Sequence, residues 1–290
     1  MRENNASELV LTADGTPYHT HLGSDQLADN VLLVGDPQRV DLFKELFDSV
    51  DYESENREIH VLCGSFHGSR FSVVSTGMGC DNIDIVLTEL DVAANVDTAT
   101  GKPYPTHRSL HMVRIGTCGS LHADLACGST VASAYAVGLD GLLNYYQHAD
   151  AGFVPGLEEA FCQQVTTGER MARPYAVAAS GTLLQQVAHD IPQGITVTAP
   201  GFYAPQGRHI RIAPTLSHLN EQLATFQWNG LRVNNLEMET SGIYGMCRML
   251  GHEALTVCLV VANRATGQFL NRYESEMRDL LQRVMLRLIN

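Results

Sequence analysis

The chain has 290 residues, 44% of them hydrophobic, and a formal net charge of −13. This length and composition allow a large buried core, which argues against a disordered chain. The acidic balance disfavours nucleic acid as the main partner. The sequence has no apolar run close to the ~20 residues of a membrane span. It also has no apolar segment behind a basic start, so we expect no secretion signal and no membrane partner.

The seven cysteines form no C-x-x-C pair, and their number is odd. This usage indicates reduced thiols in a cytoplasmic protein. The 12 histidines show no metal-ligand spacing either, so we predict no metal. The start of the chain is mostly polar, and residues 1–17 are therefore predicted to be a loosely ordered extension.

Strand and helix patterns alternate along the chain. In order, they predict a strand, turn and helix over residues 30–47, two strands over 57–79, a helix over 82–96, a loop over 99–109, strands over 111–121 and 128–137, a helix over 157–171, a strand over 175–180, a helix over 181–190, a strand over 194–200, a strand and helix over 231–251, a strand over 254–264 and a helix over 273–288. Several strands are apolar throughout, which predicts an α/β fold whose central sheet is covered on both faces. No repeat or linker interrupts the pattern, so we predict one domain over residues 1–290.

Polar, glycine-rich stretches follow the predicted strands. They are GDPQR (35–39), STGMG (75–79), RIGTCGS (114–120), GFYAPQGR (201–208), NNLEMET (234–240) and ANRATG (262–267). In a sheet of this kind, ligands bind at the loops that follow the strand ends. The sequence therefore predicts that these stretches form the rim of one site.

Three of these stretches carry charged groups with two possible roles each. A helix start beside Arg39 is a competent phosphate site, or Arg39 lies on a solvated helix face. Arg114 lies inside an apolar strand and needs an anionic partner, which is either a ligand or a structural carboxylate. Glu237 and Glu239 either cap a helix or supply a carboxylate that accepts from both hydroxyls of a sugar diol.

The motifs together resemble the nucleoside phosphorylases of the uridine/purine nucleoside phosphorylase superfamily. From about Tyr18 to the last helix, the family order is kept: a His before the first strand, GDPxR, Arg57-Glu58, STGMG, RIGTxG, FYxxQxR, EME and a late Asn-Arg. The resemblance implies a three-layer α/β/α domain with a central mixed, partly barrel-like sheet. It also implies a homodimer with shared active sites as the minimal unit, and a hexamer stays open.

The resemblance also implies roles for individual residues. The phosphate-binding set is Gly35, Arg39, Arg57, Arg114 and Thr117, with Arg57 acting in the neighbouring subunit's site. The ribose-binding set is His19, lent across the dimer, with Met238, Glu239 and Thr117; His21 is the alternative to His19. The uracil-binding set is Phe202, Gln206, Arg208 and Gly119, and Cys118, Glu237 and Arg264 are supporting residues. Arg114, Glu239 and Arg39 are the implied catalytic residues.

The function implied by the resemblance is cleavage of uridine by inorganic phosphate, giving uracil and ribose 1-phosphate without a cofactor. Deoxyuridine and thymidine are further possible substrates. Cys118 stands where the family commonly has a hydroxyl residue. Asn82 stands where relatives that bind an interfacial monovalent cation beside the Glu58 position have a hydroxyl, which argues against potassium here.

Other functions remain as alternatives. A purine nucleoside phosphorylase is disfavoured by Gln206, Arg208 and the absence of the late Asp of purine-specific relatives. A nucleosidase that uses water is disfavoured because three phosphate-binding arginines are retained. A non-catalytic nucleoside-binding protein on the same scaffold is the third alternative.

Overall fold

The computed structural model describes residues 6–147 and 151–290. The strands are β1 (Asn30–Val34), β2 (Ser49–Asn56), β3 (Ile59–Phe66), β4 (Ser69–Ser75), β5 (Val96–Asp97), β6 (Lys102–Pro103), β7 (His111–Ser120), β8 (Thr130–Gly138), β9 (Tyr175–Ala178), β10 (Gln193–Thr198), β11 (Gln227–Trp228), β12 (Leu231–Glu237), β13 (Glu253–Asn263) and β14 (Gln268–Phe269). The helices are α1 (Asp41–Lys44), α2 (Cys80–Asn95), α3 (Pro155–Gln164), α4 (Gly181–Ala188), α5 (Leu219–Thr225), α6 (Thr240–Leu250) and α7 (Glu274–Leu288). Short 3₁₀ turns cover Pro37–Arg39, Leu142–Tyr145 and Ala204–Gln206.

The central sheet has the strand order β11-β12-β10-β8-β13-β7-β1-β4-β3-β2. Strand β12 also pairs with β7, so β7, β12, β10, β8 and β13 close into a five-stranded ring. The sheet is mixed, since β1 and β4 run parallel whereas β12 and β7 run antiparallel. These pairings confirm the mixed, partly barrel-like sheet.

Strand β7 changes its neighbour half-way along its length. Its first residues pair with β1, up to the register pair Leu33 and Arg114. Its last residues pair with β12, where Gly119 lies opposite Leu236. Strands β1 and β12 therefore diverge beside residues 114–119, and such a divergence opens a crevice at the strand ends.

Both faces of the sheet are covered, as the apolar strands predicted. Val31 and Leu33 of β1 lie in the core that includes residues of α2 and α6. Leu32 and Val34 point to the opposite face and lie in the core with α4 and α7. Alternate side chains of one strand thus contribute to two cores, which confirms the three-layer α/β/α arrangement.

Local predictions were wrong at several element boundaries. The helix expected up to residue 47 is a 3₁₀ turn followed by the short α1, and the helix expected over 157–171 ends at Gln164. Strand β2 and helix α5 were not predicted. Strand β2 lies at the edge of the sheet, and none of its side chains is buried. Without buried apolar residues at every second position, the period-two pattern of a strand is not visible in the sequence.

The predicted extension over residues 1–17 lies partly outside the described residues, which begin at residue 6. Within the described part, Leu11 and Pro17 form an isolated β-bridge, and the Thr12 and Thr16 hydroxyls lie 2.8 Å apart. Loose order of this segment remains a prediction. Among the described residues, no helix combines the length and apolar character that crossing a membrane requires.

Candidate active site

A cleft of about 590 Å³ lies at the carboxyl ends of β1, β4, β7, β10, β12 and β13. All six of the strand-end stretches contribute residues to its lining. The predicted site residues that line it are Gly35, Arg39, Arg114, Thr117, Cys118, Gly119, Phe202, Gln206, Arg208, Glu237, Met238 and Glu239. The structure thus brings together residues that lie up to two hundred positions apart in the chain.

Arg114 lies in the wall of the cleft, and only 4% of it is exposed. Its guanidinium donates to the Glu239 carboxylate, lies 3.4 Å from Glu237 Oε2 and donates to Cys258 Sγ at 3.3 Å. Burial lowers the pKa of Arg114, but the two carboxylates outweigh burial and the net shift is upward. Arg114 therefore stays charged. Of the two anionic partners that the sequence allowed, a ligand or a structural carboxylate, the structure shows carboxylates, those of Glu237 and Glu239.

Gly116 makes room for the Arg114 side chain. A Cβ at position 116 would lie 2.0 Å from Nη1 and 2.6 Å from Cζ of Arg114. Contacts this short do not occur between real atoms, so only glycine allows the guanidinium to lie along the strand here. The position of Arg114 thus explains why the RIGTCGS stretch has a glycine at position 116.

Glu237 and Glu239 have different surroundings although only one residue separates them. Glu237 Oε2 accepts from the backbone N–H groups of Glu239 and Thr240 at 2.9 Å, and Oε1 accepts from the Thr198 hydroxyl at 2.6 Å. Glu237 therefore caps the N-terminus of α6. The capping alternative holds for this carboxylate.

Glu239 points across to the neighbouring loop. Its Oε1 accepts from the Gly79 N–H at 2.8 Å, while Oε2 accepts from Arg114. Burial, and to a lesser degree the negative charge of Glu237, raise the pKa of Glu239 despite the opposing effect of Arg114. A carboxylate lining the cleft and fixed at both oxygens is a preorganised acceptor for donors that enter the cleft.

Arg39 also lines the cleft and donates to hydroxyl groups. Its Nη2 is 3.5 Å from Thr117 Oγ1 and 3.3 Å from the Tyr273 hydroxyl, and its guanidinium lies 5.8 Å from the centre of the Tyr273 ring. Gly35, Arg39, Arg114 and Thr117 all line the cleft. Two guanidinium groups, a hydroxyl and glycine backbone form a suitable cradle for an oxyanion.

The loop after β10 folds as a 3₁₀ turn that buries Gln206 to 3% exposure. Gln206 Oε1 accepts from Arg208 Nη1 at 2.8 Å and from Arg264 Nη2 at 3.3 Å, and Arg264 Nη1 donates to the Gln206 carbonyl at 2.7 Å. Because guanidinium groups only donate, the carboxamide oxygen faces the arginines and the amide nitrogen is left to donate to a ligand.

Arg208 and Phe202 complete this end of the cleft. The Arg208 guanidinium lies 3.7 Å from the centre of the Phe202 ring and donates to the Phe202 carbonyl. Burial lowers the pKa of Arg208, and burial together with the charge of Arg208 lowers the pKa of Arg264 to about 10. The two cations therefore lie close together, which favours a ligand with partial negative charge at this end.

Most of the chain matches a single protein family. Residues 29–290 match the family model described as the phosphorylase superfamily. The chain belongs to the phosphorylase superfamily.

Individual members of this superfamily differ in their named activities. A uridine phosphorylase of Thermococcus kodakarensis is 28% identical over 277 residues, which cover 93% of this chain and 86% of the relative. A guanosine phosphorylase of Halorubrum lacusprofundi is 25% identical over 236 residues, covering 81% and 79%. The solved structure of a Trypanosoma brucei nucleoside phosphorylase, described as showing uridine phosphorylase activity, is similar with a TM-score of 0.85 at 28% identity, covering 97% of this chain and 98% of that chain.

Arg264 contacts Gln206 without lining the cleft itself, and the two residues predicted to act across a dimer, His19 and Arg57, do not line the cleft of their own chain either. His19 Nδ1 lies 2.6 Å from Glu89 Oε1, and the His19 and Thr20 backbone N–H groups also donate to the Glu89 carboxylate. Arg57 is exposed and has a positive φ of 57° at the turn between β2 and β3. Their roles across a dimer, and the choice between His19 and His21, stay predictions.

Some residues of the site were missed from the sequence. Tyr273 contacts Arg39, Phe269 lines the cleft, and Glu89 holds His19. Tyr273 and Phe269 lie in the C-terminal part of the chain, outside the predicted strand-end stretches. Cys258, in the middle of β13, was not predicted as part of the site, although it accepts from Arg114 and its pKa is lowered by a hydrogen bond from Cys118 and by Arg114.

Proposed function

We propose that this protein is a nucleoside phosphorylase that cleaves uridine with inorganic phosphate to give uracil and ribose 1-phosphate. The observation that carries the proposal is the arrangement of three groups around one cleft. Arg39 donates to Thr117, Arg114 donates to Glu239, and Gln206 accepts from Arg208, and all six of these residues line the same cleft. These groups match the phosphate, the sugar and the base of the reacting pair, in that order. The relatives named as uridine phosphorylases support the same reaction.

Phosphate would bind beside Arg39, Arg114 and Thr117, which all line the cleft. Phosphorolysis passes through a sugar with oxocarbenium character, so holding the anion against the sugar both positions the nucleophile and stabilises the positive charge. Glu239 would accept from the ribose 2′- and 3′-hydroxyls and add negative charge on the same side of the sugar. Met238, which also lines the cleft, would pack beneath the sugar ring.

The departing uracil carries negative charge on its oxygens. The Gln206 amide nitrogen and the Arg208 guanidinium are donors and would stabilise that charge, while the Phe202 ring offers a surface on which the base can stack. Arg264 fixes the direction of the Gln206 carboxamide through two contacts. Donors at this end suit the carbonyl groups of uracil and thymine.

A purine nucleoside is the second candidate substrate, because a guanosine phosphorylase is among the relatives. Guanine also has a carbonyl group that Arg208 or Gln206 could bind. However, the position before Arg264 is Asn263, whose side chain donates at 2.8 Å to the carbonyls of His122 and Leu125. The Asn263 side chain therefore stabilises a loop. Because it is an amide and not a carboxylic acid, it could not assist a departing purine as an Asp would, and this difference favours uridine as the substrate.

The proposal includes a homodimer whose subunits exchange His19 and Arg57, with a hexamer as a larger assembly. It includes no metal and no cofactor, and no cation between subunits. A cytoplasmic location remains a prediction from the cysteine usage.

The activity can be tested by incubating the protein with uridine, thymidine, inosine and guanosine, each with and without phosphate, and measuring free base. We expect release of uracil only when phosphate is present, and slower release of purines. Release without phosphate would indicate a nucleosidase, preferential release of guanine or hypoxanthine a purine phosphorylase, and binding of nucleosides without any release a binding protein.

Gly116→Ala is expected to lower kcat for phosphorolysis by about a hundredfold, because an added Cβ displaces the Arg114 guanidinium and a shift of about 1 Å costs a factor of this size. Steady-state kinetics and thermal melting measure the effect. Gly181→Ala, at the start of α4 where a Cβ meets no atom within 4 Å, is the matched control and should keep full activity. Full activity of Gly116→Ala would show that the position of Arg114 is not critical.

A further inference from the structure

His60 of β3 lies beneath the turn that carries Arg39, although it does not line the cleft. The residue is 4% exposed. Its Nδ1 lies 3.3 Å from the Pro37 carbonyl oxygen, and its Nε2 lies 2.8 Å from Glu53 Oε1 of β2. The imidazole therefore bridges the 3₁₀ turn Pro37–Arg39 and the edge strand of the sheet.

The Pro37 carbonyl is the acceptor that closes this turn. It accepts from the Val40 N–H at 3.0 Å, while the Asp36 carboxylate accepts from the Gln38 N–H at the other end of the turn. A donor from His60 uses the second lone pair of the same carbonyl oxygen. The orientation of the turn, and with it the start of the Arg39 side chain, therefore depends on where His60 is held.

His60 is itself fixed by an ionic group. Glu53 accepts from His60 and pairs with Lys44 of α1 at 2.5 Å, and Lys44 also pairs with Asp41 at 3.0 Å. The ammonium group of Lys44 chiefly, and the imidazole, hold the pKa of Glu53 below its usual range. Asp41 and Glu53 both form ion pairs with Lys44. We therefore interpret the cluster of Asp41, Glu53 and His60 as a network of ion pairs and hydrogen bonds, and not as a metal site.

Both ring nitrogens of His60 face groups that only accept. A proton on either ring nitrogen therefore finds an acceptor, the Pro37 carbonyl at Nδ1 or the Glu53 carboxylate at Nε2. The backbone N–H of His60 donates to the Ser75 hydroxyl, which in turn donates to the carbonyl of Glu58. His60 thus connects the Arg39 turn with the Arg57-Glu58 turn, whose Glu58 lines the cleft.

We infer that His60 is a positioning residue for phosphate, which acts by holding the Pro37 carbonyl and thereby the turn that presents Gly35 and Arg39. The inference rests on the proposed phosphorolysis. It assigns to His60 an effect on phosphate and none on the nucleoside, because His60 contacts Pro37, Glu53 and Ser75, none of which lies in the loop of residues 201–208.

Two amide variants separate the two contacts of the ring. The amide nitrogen of Asn occupies the place of Nδ1 and can still donate to Pro37, whereas that of Gln occupies the place of Nε2 and can donate only to Glu53. We expect His60→Gln to raise the KM for phosphate about tenfold, as the loss of one buried hydrogen bond allows, and His60→Asn, which keeps the Pro37 contact and loses only the Glu53 contact, to raise it by a clearly smaller factor. The KM for uridine should change little in either variant.

The experiment combines steady-state kinetics in both substrates with calorimetric titration of inorganic phosphate and a thermal melt of each variant. His67→Asn, an exposed histidine at the turn between β3 and β4, is the control and should match the wild type. Equal effects of the Asn and Gln variants, or parallel rises in both KM values, would overturn the positioning role. Absence of phosphate-dependent release by the wild type would instead refute the proposed function, and absence of phosphate binding would refute both.

Discussion

Arg208→Ala is expected to lower kcat/KM for uridine by about a hundredfold, because a hydrogen bond from a charged donor contributes about 1.5–3 kcal/mol. The substitution removes a donor to the base, the cation stacked on Phe202 and one of the two guanidinium groups that orient the Gln206 carboxamide. The KM for phosphate should stay within about twofold of the wild-type value, since the phosphate cradle lies at the other end of the cleft. Initial rates with each substrate varied separately measure both quantities.

The matched control for this variant is Arg211→Ala. Arg211 is exposed in the same segment and does not line the cleft. Its removal changes the net charge equally, so any general electrostatic effect on substrate binding would appear in both variants. Equal losses of uridine and phosphate affinity in Arg208→Ala would contradict the assignment of Arg208 to the base.

Glu239→Gln is expected to lower kcat by about a hundredfold with only a small change in melting temperature, because the loss of one or two charge-assisted hydrogen bonds corresponds to about 2–4 kcal/mol. An amide cannot accept from two hydroxyls with both of its polar atoms, and it lacks the negative charge that opposes an oxocarbenium-like sugar. The fold should tolerate the change, since burial already disfavours the charge of Glu239 and Arg114 keeps Glu237 as a partner. Kinetics and thermal unfolding of the same preparation test both statements.

Glu237→Gln provides the contrast. Glu237 accepts from two backbone N–H groups at the start of α6 and from Thr198, so its loss of charge should mainly lower the melting temperature. A collapsed melting transition in Glu239→Gln, with a mild effect of Glu237→Gln, would reverse the roles that we assign to the two carboxylates.

The features that were predictable from the sequence are those that local chemistry dictates. An arginine inside an apolar strand requires an anion, and the structure gives Arg114 two carboxylates. Gly-rich and polar stretches after apolar strands predicted the rim of the cleft, because β1, β4, β7 and β13 run parallel and end on the same side of the sheet. The antiparallel β12 reaches the same rim because its last residues pair with the last residues of β7. The layers on both faces of the sheet followed from strands that are apolar throughout.

The features that were not predictable depend on contacts between distant parts of the chain. The direction of the Gln206 carboxamide is set in part by Arg264, which lies 58 positions away and follows β13, while Gln206 follows β10; both strands pair with β8. The contact between Arg39 and Tyr273 spans 234 positions. Which of Glu237 and Glu239 caps α6 depends on which side chain accepts from the backbone N–H groups of that helix. The spacing of the two residues in the sequence allows either one to do so.

The exchange of neighbours along β7 has a consequence for how specificity can change. Under the proposed function, the β1 side carries the turn with Gly35 and Arg39 that would bind the anion, whereas the five-stranded ring carries the loop that would face the base. The two substrates would then contact different parts of the scaffold, which meet along β7, the strand that carries Arg114 and Thr117. Substitutions in residues 201–208 can alter which base is accepted while the machinery for the common nucleophile stays intact. A fold divided in this way allows one nucleophile to be combined with many leaving groups.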